Sequence, residues 1–169
     1  MLPITYRIEG PWQGQMAIIP RSRGGDWLNE ELHALKEAHF NVVLSLLTRE
    51  ESEELGLAKE AELSAQQGLE FINFPIPDLG VPAAAAATHE VLNRLLNVLR
   101  AGKRIAIHCR QGIGRSGLIA ASLLVMEAID PFVAFRRVSA ARGLEVPETT
   151  AQRDWVMELS HRAPELART

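Results

Sequence analysis

The chain holds one cysteine, Cys109, and its neighbours are unusual company for a thiol. It ends the apolar run Ile105-Ala-Ile-His, and Arg115 follows six residues later, with Gly112 and Gly114 between them and Ser116 just beyond. The apolar segment after Gly117 reads as a helix. A strand, a glycine-rich loop and a helix N-terminus in succession make an anion cradle, in which loop amides converge and the helix dipole adds positive potential. A thiol in such a cradle ionises readily, since a cysteine pKa near ~8.5 falls to roughly 3.5–7.5 at a helix N-terminus or beside a cation. The planar fork of Arg115 suits two phosphate oxygens at once. Residue types and spacing together describe a nucleophile beneath a phosphate site.

Two other readings compete. A lone cysteine is often just a small buried hydrophobe, but Gly, Gly, Arg and Ser crowded into the same few positions argue against that here. Gly112-Ile-Gly-Arg-Ser-Gly117 also satisfies the G-x-G-x-x-G pattern of dinucleotide-binding folds. That motif needs a second strand about 20 residues on, ending in an acidic residue. Here one helix runs to Ile129, and after the Asp130-Pro131 break comes another helix, so the βαβ unit is never completed.

A second segment could supply a proton. The strand Leu69–Phe74 runs into Pro75-Ile-Pro-Asp-Leu-Gly-Val-Pro82, a stiff loop with one carboxylate, Asp78, near its centre. Phosphoryl transfer to sulfur leaves an alkoxide or phenoxide that needs a proton, and a positioned carboxyl can give it. The plainer alternative is a turn aspartate bonding its own backbone.

The remaining elements must bring these two segments together. Ile4–Ile8 and Gln15–Ile19 read as short strands around Gly10-Pro11. Asp26 is a suitable N-cap for a helix over Trp27–Ala38, with Leu28, Leu32 and Leu35 on one face. Asn41–Leu47 has the continuous apolar character of a buried parallel strand. Thr48 and Glu51 have capping-box spacing at the start of a short acidic helix, whose run Glu50–Glu54 reads as a solvated face favoured by the dipole. Helices are expected over Ala58–Gln67 and Ala83–Arg100, then the strand Arg104–His108. Three helices close the chain, over Ile113–Ile129, Pro131–Ala141 and Glu148–His161. This alternation specifies an α/β fold, a mainly parallel central sheet flanked by helices on both faces. Ligands of such sheets lie beyond the carboxyl ends of the strands, where Cys109 sits.

His108-Cys109-x5-Arg115-Ser116 resembles the active-site loop of the cysteine-dependent protein tyrosine phosphatases, and the chain length suits their dual-specificity branch. The resemblance spans about Trp12 to Trp155, with its diagnostic content in Pro75–Pro82 and Ile105–Gly117. It implies a single tyrosine phosphatase-like domain over residues 1–169 and a two-step reaction through a phosphocysteine. Cys109 would be the nucleophile, Arg115 the phosphate ligand and Ser116 the hydroxyl that stabilises the departing thiolate. The backbone of Arg110, Gln111, Gly112, Ile113, Gly114 and Arg115 would line the substrate loop. Asp78, 31 residues before Cys109, occupies the interval at which the family places its general acid. Glu148-Thr-Thr-Ala-Gln152 resembles the Gln-Thr-x-x-Gln segment that orients hydrolytic water in classical tyrosine phosphatases. Glu148 departs from that pattern and Gln152 matches it, which leaves either to position the water. Tyr6 is the only tyrosine, and no equivalent of the tyrosine-bearing loop that deepens the classical pocket is evident. A shallow pocket open to phosphotyrosine, phosphoserine, phosphothreonine or small esters is expected.

Other polar residues carry less. Arg21, Arg23 and Arg142 are candidates for holding an acidic substrate, against the plainer reading of surface arginines. His108 is expected to point away from the phosphate and to bond backbone, shaping the loop. His33, His39, His89 and His161 lack ligand spacing, so no metal site is indicated, and no cofactor is expected. Trp12, Trp27 and Trp155 read as core. At 169 residues, 47% hydrophobic, with one cysteine and a net charge of −3, the chain suits a single globular domain in a reducing compartment. No leader and no membrane-length apolar run is evident, so a soluble cytoplasmic protein is expected. The charge argues against nucleic acid or membrane as partners and leaves a phosphorylated protein or a small phosphomonoester as substrate. Inositol phosphates and phosphoinositides stay open as alternatives, although Arg110 is the only extra charge inside the loop. A rhodanese-like sulfurtransferase would need the cysteine but not the Asp78 loop.

Overall fold

The computed structural model describes residues 2–166. They form a five-stranded sheet in the order β1-β2-β5-β3-β4, from β1 (Tyr6–Ile8), β2 (Gln15–Ile18), β3 (Val42–Ser45), β4 (Glu70–Asn73) and β5 (Arg104–His108). Only β1 runs antiparallel to its neighbour; β2, β5, β3 and β4 are mutually parallel. The central strand β5 pairs Ile107 with both Ile18 and Leu44, so the residues after all three strands emerge on the same edge.

Helices cover both faces because the strand residues alternate between two cores. Met16, Ile18, Val42, Leu44, Ile105 and Ile107 pack with α4 (Ala85–Arg100), α5 (Gly114–Met126), α6 (Pro131–Arg142) and α7 (Thr150–Leu166). Ala17, Val43 and Ala106 face the other way, against α1 (Leu28–Glu37) and the segment around α2 (Arg49–Glu54) and α3 (Glu60–Gln66). In α4, Leu92, Leu95, Leu96 and Leu99 are all buried. Burial of each such side chain stabilises the fold by roughly 1.5–3 kcal/mol. Helix α5 is buried from Gly114 to Val125, which fixes its N-terminus rigidly behind the loop after β5.

Three local expectations need correction. Asp26 does not cap α1: it lies inside a short 3-10 turn, Gly25–Trp27, and makes no capping bond. Two glycines at positive φ, Gly24 and Gly25, set that chain entry instead. Trp27 is not core but about half exposed, with the Arg23 guanidinium 4.0 Å over its ring. The acidic run Glu50–Glu54 is not wholly solvated, because Glu51 is buried. The capping box itself is present, with Thr48 Oγ1 accepting from the Glu51 amide and Glu51 Oε2 from the Thr48 amide.

Candidate active site

Cys109 is the first residue past β5, 3% exposed, and the chain then turns through Gly112 into α5. Gly112 has φ +69, and a Cβ there would stand 3.1 Å from an Ile18 methyl, so conformation and space both call for glycine. In this conformation the Gly112 amide donates to Cys109 Sγ at 3.2 Å. Its carbonyl is held from the other side by Arg142 Nε at 2.7 Å, while Arg142 Nη2 reaches the Gln111 carbonyl at 3.4 Å. Asp130 starts α6 by accepting from the amides of Phe132 and Val133, which brings Arg142 to the last turn and over the Tyr6 ring at 4.0 Å. Arg142 and Tyr6 are therefore braces for the loop. Ser116 Oγ is fully buried in the first turn of α5 and has no hydrogen-bond partner among the described residues.

Arg115, 2% exposed, carries its charge under the loop. Nη1 and Nη2 hold the two oxygens of Glu51 at 2.7 and 2.9 Å, a bidentate pair. Nη1 also donates to the Ile76 carbonyl at 2.9 Å and Nη2 to Asp78 Oδ1 at 3.0 Å. Nε makes no hydrogen bond among the described residues. The edge made by Nε and Nη2 is thus the one available to an incoming oxyanion, which would accept the Nη2 N–H bond that Asp78 accepts here. Burial pushes the Glu51 carboxyl up, but bonds from Arg115 and the Thr48 amide outweigh that and hold it below the ordinary carboxylate range. Burial likewise works against the Arg115 charge, and Glu51, then Cys109 and Asp78, more than restore it. Glu51 went unrecognised as a site residue in the sequence because its partner lies 64 positions later. Its place just past the carboxyl end of β3, beside β5, is the one available signal.

The Asp78 loop docks on the same arginine. Phe74 donates to Ser45 O and Ile76 to Leu46 O, continuing the β3–β4 pairing past the strands. Gly80 then closes a turn onto the Pro77 carbonyl at 2.8 Å, with Leu79 at φ +59. Asp78 Oδ1 accepts from the Leu79 amide as well as from Arg115, so it is both a turn aspartate and a site residue. Its side chain is 58% exposed at the mouth of the site.

A cavity of about 230 Å³ joins Asp78 and Leu79 of this loop to Cys109, Gly114 and Arg115 of the cradle, and to Glu148 and Gln152 before and within α7. A larger open groove of about 740 Å³, along α4, has neither a cysteine nor a loop of convergent amides. Gln152 is fully buried, whereas Glu148 is exposed and has no ion pair or hydrogen bond among the described residues. The other candidates stand apart. Arg110 is paired with Glu54 at 3.0 Å. Arg23 is held by Glu31 at 2.6 Å near the start of α1, and Arg21 Nη1 bonds the Ser22 carbonyl. His108 points away from the cradle as expected, but toward Glu60 rather than backbone: Nε2 is 2.8 Å from a Glu60 oxygen, off the line of a hydrogen bond.

Residues 20–128 match the family described as the DSP-PTPase phosphatase of polymorphic toxin systems. The chain belongs to this phosphatase family. It is 29% identical over 133 residues to cyclin-dependent kinase inhibitor 3 of Rattus norvegicus, covering 78% of this chain and 62% of that protein. It is 40% identical over 86 residues to putative tyrosine phosphatase 197R of Invertebrate iridescent virus 6, covering 48% and 31%. The chain thus spans under two thirds of the length of these relatives. Among solved structures, kinase associated phosphatase superposes with TM-score 0.86 at 20% identity, covering 97% of each chain. The active form of Tk-PTP superposes at 0.78 with 26% identity, covering 96% and 99%. The helix-flanked, mainly parallel α/β sheet expected from the element order, and the tyrosine phosphatase-like fold implied by the loop's resemblance, are the fold observed.

Proposed function

We propose that this chain hydrolyses phosphomonoesters through a phosphocysteine. One observation carries the reading: a cysteine sulfur held by a loop amide shares a single small cavity with a buried arginine and a carboxylate. The substrate phosphoryl group enters the cradle and takes Arg115 Nε and Nη2, releasing the solvent-exposed Asp78 carboxylate, which takes up a proton from water and turns toward the leaving-group oxygen. Sγ of Cys109 attacks phosphorus, the P–O ester bond breaks, and Asp78 delivers its proton to the departing oxygen. Water then attacks the phosphocysteine, Asp78 accepts its proton, and the thiolate leaves as inorganic phosphate forms. Arg115 and the loop amides match charge spreading over the equatorial oxygens, the main demand of phosphoryl transfer. Glu148 is the group we assign to the hydrolytic water. Its Oε2 is 3.2 Å from where a Gly114 Cβ would stand, and it lines the cavity with no partner among the described residues.

The substrate class this supports is phosphotyrosine and phosphoserine or phosphothreonine in protein. Arg110 is neutralised by Glu54 and Arg142 is spent on loop carbonyls, which leaves little free cation for a polyanionic ring. No helix among the described residues is long and apolar enough to cross a membrane. Cys109→Ser tests the reading. An alkoxide forms far less readily than a thiolate, so turnover of an aryl phosphate should vanish while phosphate binding persists. Hydrolysis by this variant at a rate near that of the parent would refute the nucleophile.

A further inference from the structure

We infer that Gln152 is a positioning residue for the acid step: it pins the acid loop to the cradle. This rests on the assignment of Asp78 as general acid. Gln152 is fully buried, and each polar atom of its side-chain amide holds one bond to protein. Nε2 donates to the Gly80 carbonyl at 3.1 Å, and Oε1 accepts from the Thr149 amide at 3.2 Å. The Gln152 backbone N–H in turn donates to Thr149 Oγ1 at 3.1 Å, so the start of α7 holds this side chain in one orientation. On its other side, a Cβ on Gly114 would stand 2.8 and 2.9 Å from the Gln152 amide atoms, which places the side chain in contact with the cradle.

The geometry gives that contact a purpose. The acid turn, Pro77 to Gly80, is gripped at both ends: the Ile76 carbonyl by Arg115 and the Gly80 carbonyl by Gln152. Asp78 lies between the two grips and Leu79 beside it has φ +59, a conformation costly for a non-glycine residue unless its surroundings enforce it. Without the Gly80 grip the turn can relax and carry Asp78 off the leaving-group oxygen. One Nε2 hydrogen is used on Gly80 and the other has no partner among the described residues, so pinning the loop and orienting water are told apart by the step each affects.

The leaving group separates these roles. Burst-phase phosphorylation of the enzyme is followed with an alkyl phosphate, whose oxygen needs a proton, and with an aryl phosphate of a very acidic phenol, which does not. Gln152→Met keeps the volume and removes both bonds; Gln152→Asn serves the same comparison should the methionine variant fail to fold. The alkyl burst should fall by roughly 10–10²-fold, as expected for a slightly misplaced group, with the activated aryl burst changed by less than about 3-fold. In an Asp78→Asn background the same change should have little further effect on the alkyl burst. Equal losses for both substrates would overturn the inference, as would unchanged bursts with a slower second step. If Asp78→Asn shows the leaving-group split and Gln152→Met does not, only the pinning role fails. If Asp78→Asn shows no split, the acid assignment fails and the pinning role with it.

Discussion

Arg115 meets Glu51, Ile76 and Asp78 at once, and this shared grip makes its shape as important as its charge. Arg115→Lys keeps the charge but cannot hold Glu51 in two places while presenting a planar edge to phosphate. It should lose on the order of 10²-fold or more in kcat/KM, similar to removing an oxyanion donor; retention of most activity would make the arginine structural only. Glu51→Gln breaks a buried pair and should cost about 3 kcal/mol, the low end for such a loss because Ile76 and Asp78 remain as partners. The sign of its pH dependence comes from the lowered Glu51 carboxyl. Its stabilising contribution is complete above the unfolded carboxylate pKa near ~4.3 and disappears as pH falls through the lower folded value. Chemical denaturation at several pH values should show the variant and parent converging in acid. A gap that stays constant to low pH would remove Glu51 from the ionised pair.

At the scale of elements, what was legible in the sequence was local. Cys109, Gly112, Gly114 and Arg115 lie within one loop and one helix turn, and Asp78 lies within one proline-rich loop. Their chemistry could therefore be read without knowing which strands pair. Glu51, Arg142 and the grip of Gln152 on Gly80 depend on contacts across 64, 30 and 72 positions, set by the β2-β5-β3-β4 order. Asp26 misled because a good capping residue beside a Gly-Gly pair yields to the turn those glycines make. The contact of Gly114 with Gln152 yields a prediction at this scale. Gly114→Ala would place a methyl within 3 Å of both amide atoms, and such overpacking typically costs about 1–3 kcal/mol. A thermal melt should show that loss; an unchanged melt would mean Gln152 moves freely and is no pin.

Across the whole molecule, stability and chemistry are separable. The four buried leucines of α4 support one sheet face and contribute no residue to the cavity over Cys109. Leu96→Ala should cost ~2–5 kcal/mol yet leave kcat/KM close to the parent value at temperatures where the protein is folded. A large loss of kcat/KM in fully folded protein would show that α4 positions the site. The carboxyl ends of β3, β4 and β5 deliver Glu51, the acid loop and Cys109 to one edge of the sheet, and the proposed reaction depends on that convergence. The most direct test is to quench the enzyme during turnover of an activated aryl phosphate and locate the phosphoryl group by peptide mass spectrometry. The account predicts a phosphoryl group on Cys109, formed with the product burst and accumulating as one group per enzyme. Full turnover with no covalent phosphoryl group on Cys109, or with the group on another residue, would contradict it.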